Sequence, residues 1–184
     1  STLFPYTTLF RSILDLSLEE LRTLTLVREP LPGARARTRA FIKVQEGCDN
    51  ICTYCLTRLA RGRSRSRPWE DISRDIQAAL IGNAKEVVLT GVQLGAWGRD
   101  LPTQDNLGSL IARVLSMQTI GRVRLSSLEP LDFEKDWLRL WQDERLCRHL
   151  HIPLQSGSDS ILKAMKRPIT TAAYADLVAT IRSA

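Results

Sequence analysis

The chain has 184 residues, 43% of them hydrophobic and 25% charged, a balance that fits one globular domain with a buried core and excludes a mainly disordered chain. No apolar run approaches the roughly 18 residues of a membrane span, and no segment is laid out as a secretory signal, so the expected location is cytoplasmic, with no membrane partner. The net charge of +6 is uneven: Arg35, Arg37 and Arg39 precede a cluster of cysteines and Arg58, Arg61, Arg63, Arg65 and Arg67 follow it, which predicts a local cationic surface.

Residues 1–12, STLFPYTTLFRS, carry TLF twice and read as a non-native scar. Residues 13–38 read as a linker with one short helix, in which Ser17 and Glu20 stand at capping-box spacing. Residues 39–184 read as a partial core domain. It opens with a buried strand, AFIKVQ, followed after Pro68 by a helix with Trp69, Ile72, Ile76, Ala79 and Leu80 on one face. KEVVLT repeats the strand signal; a glycine-rich loop then leads to a helix with the stripe Leu107, Leu110, Ile111, Val114 and Leu115, capped by Asn106. GRVRLSS with a helix carrying Phe133, Trp137 and Trp141 makes a third unit. HLHIPL with a helix around Ile161, Leu162 and Met165 makes a fourth, and TAAYADLVATIRSA predicts a last helix. Strands alternating with helices imply a parallel α/β sheet, here a partial (β/α) barrel truncated after about four strands.

In such a sheet the chemistry gathers at the carboxyl ends of the strands. The polar and glycine-rich stretches fall there: the cysteine loop, TGVQLG, SSLEP and QSGSD. The cysteines are spaced C-x3-C-x2-C at Cys48, Cys52 and Cys55, and three crowded thiols favour reduced metal ligands over disulfides. A structural zinc site usually closes with four protein ligands, whereas a four-iron cluster held by three thiolates leaves one iron open. A zinc site completed by Cys147, His149 or His151, or a redox C-x-x-C, remains the alternative.

The triplet, with Tyr54 just before its last cysteine, resembles the radical S-adenosylmethionine (SAM) superfamily. KVQEGCDNICTYC, ARGRSRSRP, VVLTGVQLGAWG, RVRLSSLEP and HLHIPLQSGSDSILKAMKR resemble, in order and spacing, the central domain of the methylthiotransferases over about Thr38 to Arg167. Within that family they are most similar to the branch acting on threonylcarbamoyladenosine in tRNA. A departure is MKRPIT, where the family has an aromatic near Ile169.

The resemblance implies an enzyme that adds a methylthio group to a modified adenosine next to the anticodon. It implies one [4Fe-4S] cluster on Cys48, Cys52 and Cys55, with its open iron chelating S-adenosyl-L-methionine. It also implies cofactor contacts from Tyr54, Gly91, Ser126, Glu129, Gln155 and Arg167, the last pairing with the cofactor carboxylate. A tRNA substrate and an electron-donor protein follow as partners. A second [4Fe-4S] cluster is expected in a missing N-terminal domain, so that the chain reads as an internal fragment inactive in the full reaction. Other readings are a different radical SAM enzyme, such as a ribosomal-protein methylthiotransferase, and a noncatalytic zinc or RNA-binding module. Cys147 reads as a small packed hydrophobe. Arg63, Arg65 and Arg67 read as a solvated turn, an RNA-phosphate contact or a charge buffer for the cluster.

Overall fold

The computed structural model describes residues 38–103 and 105–184, so the expected scar and linker helix lie outside the described residues. In chain order the elements are β1 (Arg39–Lys43), β2 (Gln45–Glu46), α1 (Thr57–Arg61), β3 (Arg65–Ser66), α2 (Trp69–Ile81), β4 (Glu86–Thr90), α3 (Leu107–Ser116), β5 (Val123–Leu125), α4 (Asp159–Ala164) and α5 (Thr171–Arg182). β1, β4 and β5 form a parallel sheet in that order, Ile42 opposite Leu89 and Leu89 opposite Leu125. Parallel neighbours need crossovers, and α2 and α3 supply them.

The helices form where the apolar spacing demands. Ile72 and Ile76 of α2, one turn apart, are fully buried, as are Leu107, Leu110, Ile111 and Val114 of α3. They join Ile42, Val87, Leu89 and Val123 in one core. Each such side chain contributes about 1.5–3 kcal/mol of burial. The start of α3 is fixed by a reciprocal cap: Asn106 Oδ1 accepts from the Ser109 N–H at 2.9 Å, and Ser109 Oγ accepts from the Asn106 N–H at 3.1 Å. On β1 the alternation leaves Phe41 61% exposed, one residue from buried Ile42.

Three local expectations change. AFIKVQ does not run on as one strand: the chain leaves the sheet after Val44, and Gln45 and Glu46 pair antiparallel with Ser66 and Arg65. The segment expected to carry Phe133, Trp137 and Trp141 on an α-helix instead forms a 3-10 helix, Lys135–Gln142, with Phe133 just before it. It is short, and its fixed points are side chains, Trp137 packing edge-on to Phe133 at 5.6 Å between ring centroids. HLHIPL does not form a laddered strand: the fourth line meets the β5 segment only through two isolated parallel bridges, Val123 to Leu146, just before HLHIPL, and Ser127, just past β5, to His151 within it. Pro153 lacks the N–H a continuing ladder would need. Three laddered strands and this fourth line constitute a partial α/β barrel among the described residues.

Candidate functional site

The cysteine loop leaves the sheet at Gly47, whose φ of 72° lies in the left-handed region. An added Cβ there would meet the Arg63 carbonyl oxygen at 1.9 Å, so only glycine lets the loop pass this close to the strand returning at β3. The Cys48 N–H donates to the Gly62 carbonyl at 3.2 Å, and the Cys55 N–H to the Cys52 carbonyl at 3.1 Å, closing a tight turn. Thr53 ties the loop to the end of α4: its N–H donates to Met165 O at 3.1 Å and its hydroxyl to Ala164 O at 3.2 Å. All three cysteines are free thiols, Cys48 and Cys52 half-buried and Cys55 exposed. Burial pushes the Cys48 thiol above the usual thiol range. The Thr57 hydroxyl and then its backbone N–H hold Cys55 below it.

The strand-end residues converge on this loop to differing degrees. Arg167 is buried: one guanidinium nitrogen is 2.5 Å from Glu129 Oε2 and 3.2 Å from Pro153 O, the other 3.7 Å from Cys52 Sγ. Burial opposes its charge, but Glu129 and Cys52 outweigh that and hold it firmly protonated. Arg167 is expected to pair with a cofactor carboxylate; within the protein its partner is Glu129. Its Nε is buried without a partner, as is Ser126 Oγ at the end of β5. Asn50, Gln93, Glu129, Asp132, Arg167 and Ile169 are among the residues lining a cavity of about 280 Å3 beside the loop. Tyr54 is 48% exposed. Gln155 is exposed with φ 77°, a conformation non-glycine residues adopt rarely. Gly91 has an intramolecular reason: an added Cβ would meet Gln45 Oε1 at 2.9 Å.

Two residues outside the expected set hold the loop. Gln45 is fully buried; its amide nitrogen lies 2.8 Å from Glu46 O, 2.9 Å from Gly47 O and 2.9 Å from Ser64 Oγ, and its oxygen accepts from the Gln93 N–H at 2.8 Å. Gln93 in turn reaches Cys48. Nothing local marks either residue; a glutamine ending an apolar strand was the one available signal.

The arginine run divides. Arg67 is structural, donating to Lys43 O and pairing with Asp75, each at 2.7 Å. Arg58 donates to Asp49 O at 3.3 Å, and Arg61 lies 3.5 Å from Glu46. Arg63 and Arg65 are exposed. Cys147 lines a different pocket, with Arg122, Arg124 and Trp141. His151 is bound to the Ser127 hydroxyl at 2.5 Å. Among the described residues no three His, Cys, Asp or Glu side chains converge on one metal-ion position. A four-iron cluster spreads its thiolates over separate irons, so its ligands need not converge on a point.

The model of the radical SAM superfamily matches residues 42–184. The chain belongs to this superfamily. Its similar relatives are methylthiotransferases. It is 42% identical to the threonylcarbamoyladenosine tRNA methylthiotransferase MtaB of Thermotoga maritima over 80% of this chain and 34% of that protein. It is 38% identical to the tRNA-2-methylthio-N(6)-dimethylallyladenosine synthase of Carboxydothermus hydrogenoformans over 79% and 33%, and 36% identical to MtaB of Bacillus subtilis over 84% and 34%. The chain therefore spans about a third of the length of these relatives. Among solved structures, the radical S-adenosylmethionine methyltransferase TsrM of Kitasatospora setae, with cobalamin and a [4Fe-4S] cluster bound, aligns with TM-score 0.62 at 17% identity. It covers 78% of this chain and 28% of that one, a likeness of fold. No helix among the described residues is long and apolar enough to cross a membrane.

Proposed function

We propose that residues 39–184 are the core of a radical SAM tRNA methylthiotransferase, with Cys48, Cys52 and Cys55 holding one [4Fe-4S] cluster and S-adenosylmethionine seated against its open iron. The observation that carries this is three free thiols on one pinned loop at the carboxyl end of a parallel sheet, in a chain 42% identical to a methylthiotransferase over most of its length. When bound, the cluster supplies an electron to cleave the carbon–sulfur bond of S-adenosylmethionine.

The chain's own residues bind and orient. Glu129 accepts hydrogen bonds from the cofactor's amino group or ribose hydroxyls; Gln155 and Ser126 offer donor and acceptor atoms, and the unpartnered Arg167 Nε is a donor for its carboxylate. The buried, partnerless Nε of Arg167, a residue lining the cavity, supports a polar ligand there. Tyr54 stands beside Cys52 and Arg167, and the rare backbone conformation of Gln155 fits a residue aimed at a ligand. Excluding water protects a reactive radical.

In this reading residues 1–12 are a non-native scar and 13–38 a linker. The substrate is a modified adenosine next to the anticodon of tRNA, an electron-donor protein reduces the cluster, and the enzyme works in the cytoplasm. Sulfur insertion uses a second [4Fe-4S] cluster held outside residues 39–184.

The test is an anaerobic assay with the reconstituted chain, reductant, S-adenosylmethionine and tRNA, following 5'-deoxyadenosine and methylthiolated nucleoside separately. The expected result is 5'-deoxyadenosine without methylthiolation, with cofactor binding weakened by about 1–3 kcal/mol in Glu129→Ala and Gln155→Ala. Absence of 5'-deoxyadenosine refutes the cofactor reading, and turnover to methylthiolated nucleoside refutes the second-cluster reading.

A further inference from the structure

We propose that Gln93 is a positioning residue for the first cysteine of the loop, its side-chain amide oriented by the Asp132–Arg99 ion pair behind it. Gln93 and Asp132 are 5% and 6% exposed. Gln93 Oε1 accepts from the Asp49 N–H at 3.2 Å and lies 3.4 Å from Cys48 Sγ. Its Nε2 donates to Asp132 Oδ2 at 3.3 Å, while Asp132 Oδ1 accepts from Arg99 at 2.7 Å. A carboxylate paired with arginine only accepts, so the amide nitrogen must face Asp132 and the amide oxygen must face the loop. The orientation is forced by chemistry.

Asp132 packs directly against Gly95, where an added Cβ would meet Asp132 Cβ at 2.3 Å, so a side chain there would displace the carboxylate that Gln93 meets. The Gln93 N–H is itself pinned by Gln45 Oε1 at 2.8 Å. A relay thus runs from the exposed Arg99 through the buried Asp132 and Gln93 to the start of the cysteine loop. It holds Cys48 in place and sets the polarity of the group facing its sulfur.

The test uses the full chain and two readouts. In the metal-free chain, Gln93→Leu removes the loop's acceptor, and alkylation of Cys48 by iodoacetamide rises about tenfold relative to Cys55, the effect of losing one to two buried hydrogen bonds that oppose local opening. Gln93→Glu alone sets two carboxylates face to face, and iron retained after anaerobic reconstitution falls. Adding Asp132→Asn restores the donor–acceptor pairing, since the amide introduced at position 132 donates to the carboxylate introduced at position 93, and iron retention recovers. The restored cluster now has a negative charge one residue nearer Cys48, and its midpoint potential falls below that of the original chain.

A merely structural role predicts neither the rescue nor the lowered potential. The iron and potential readouts rest on the cluster reading proposed above; the alkylation readout does not, so the two fail separately. Unchanged Cys48 alkylation in folded Gln93→Leu overturns the proposal, as does a double variant no better than Gln93→Glu. If Gln93→Leu loses its circular-dichroism melt, the rescue by the double variant decides.

Discussion

Gly47→Ala, set against Gly62→Ala, separates the two roles glycine plays in the cysteine loop. Both positions have positive φ, 72° and 76°. At Gly62 an added Cβ meets nothing within 4 Å, so the cost is backbone strain alone, about 1–3 kcal/mol. At Gly47 the Cβ would lie 1.9 Å from Arg63 O, 2.6 Å from Arg63 C and 2.8 Å from Gly62 O. These are backbone atoms that cannot rotate aside. The Arg63 carbonyl must withdraw by about 1.5 Å to regain ordinary contact, which breaks the hydrogen bond from Cys48 N–H to Gly62 O and the pairing of Glu46 with Arg65. The added cost is at least about 2 kcal/mol, from overpacking and lost hydrogen bonds. Urea unfolding followed by tryptophan fluorescence, with iron content after reconstitution, reads both. The expected order is Gly47→Ala well below Gly62→Ala in stability, with iron lost only in the former. Equal stabilities, or full iron in Gly47→Ala, would refute the close-approach argument.

The remaining predictions concern the thiols, the core and the sheet's ion pairs. Iodoacetamide at neutral pH modifies Cys55 before Cys48 in the metal-free chain, because the Thr57 hydroxyl and N–H lower the Cys55 thiol and so raise its thiolate fraction, while burial pushes the Cys48 thiol up; peptide mapping that finds the reverse order contradicts this. Leu110→Ala, at a fully buried position of α3, lowers unfolding free energy by about 2–5 kcal/mol in a urea melt; a loss under about 1 kcal/mol would mean α3 does not pack as described. Glu86 sits between Arg39 at 2.7 Å and Arg124 at 2.8 Å. Burial pushes its carboxyl up, but Arg124 and then Arg39 outweigh this and hold it below the usual carboxylate range. Its stabilisation is therefore present above the unfolded carboxylate pKa and lost as pH falls through the folded one. Glu86→Gln should flatten that acid limb, and an unchanged limb in thermal melts from neutral to acid pH would remove the pair from the stability account.

The parts of this molecule that sequence exposes are those written at short range. The α3 stripe and its Asn106 cap repeat at helical spacing, and the cysteine triplet lies within eight residues, so both can be read directly. The loop's supports cannot. Gln93 meets Gln45 across 48 positions and Asp132 across 39, and a buried glutamine has no periodic signature. The same limit explains Arg67, whose place in the alternating run predicts exposure although Lys43 O and Asp75 draw it inward. Pro153 was visible in HLHIPL, yet the apolar pattern around it outweighed its missing N–H.

The central claim is that three thiolates hold a cluster with one open iron, and its most direct measurement is metal analysis with electron paramagnetic resonance after anaerobic reconstitution. The account predicts about four irons and four sulfides per chain and no zinc. The signal of the reduced cluster should change when S-adenosylmethionine is added. The iron should be lost in Cys48→Ala, Cys52→Ala and Cys55→Ala and kept in Cys147→Ala. One zinc per chain, or equal loss of iron in Cys147→Ala, would make the site closed and contradict the account.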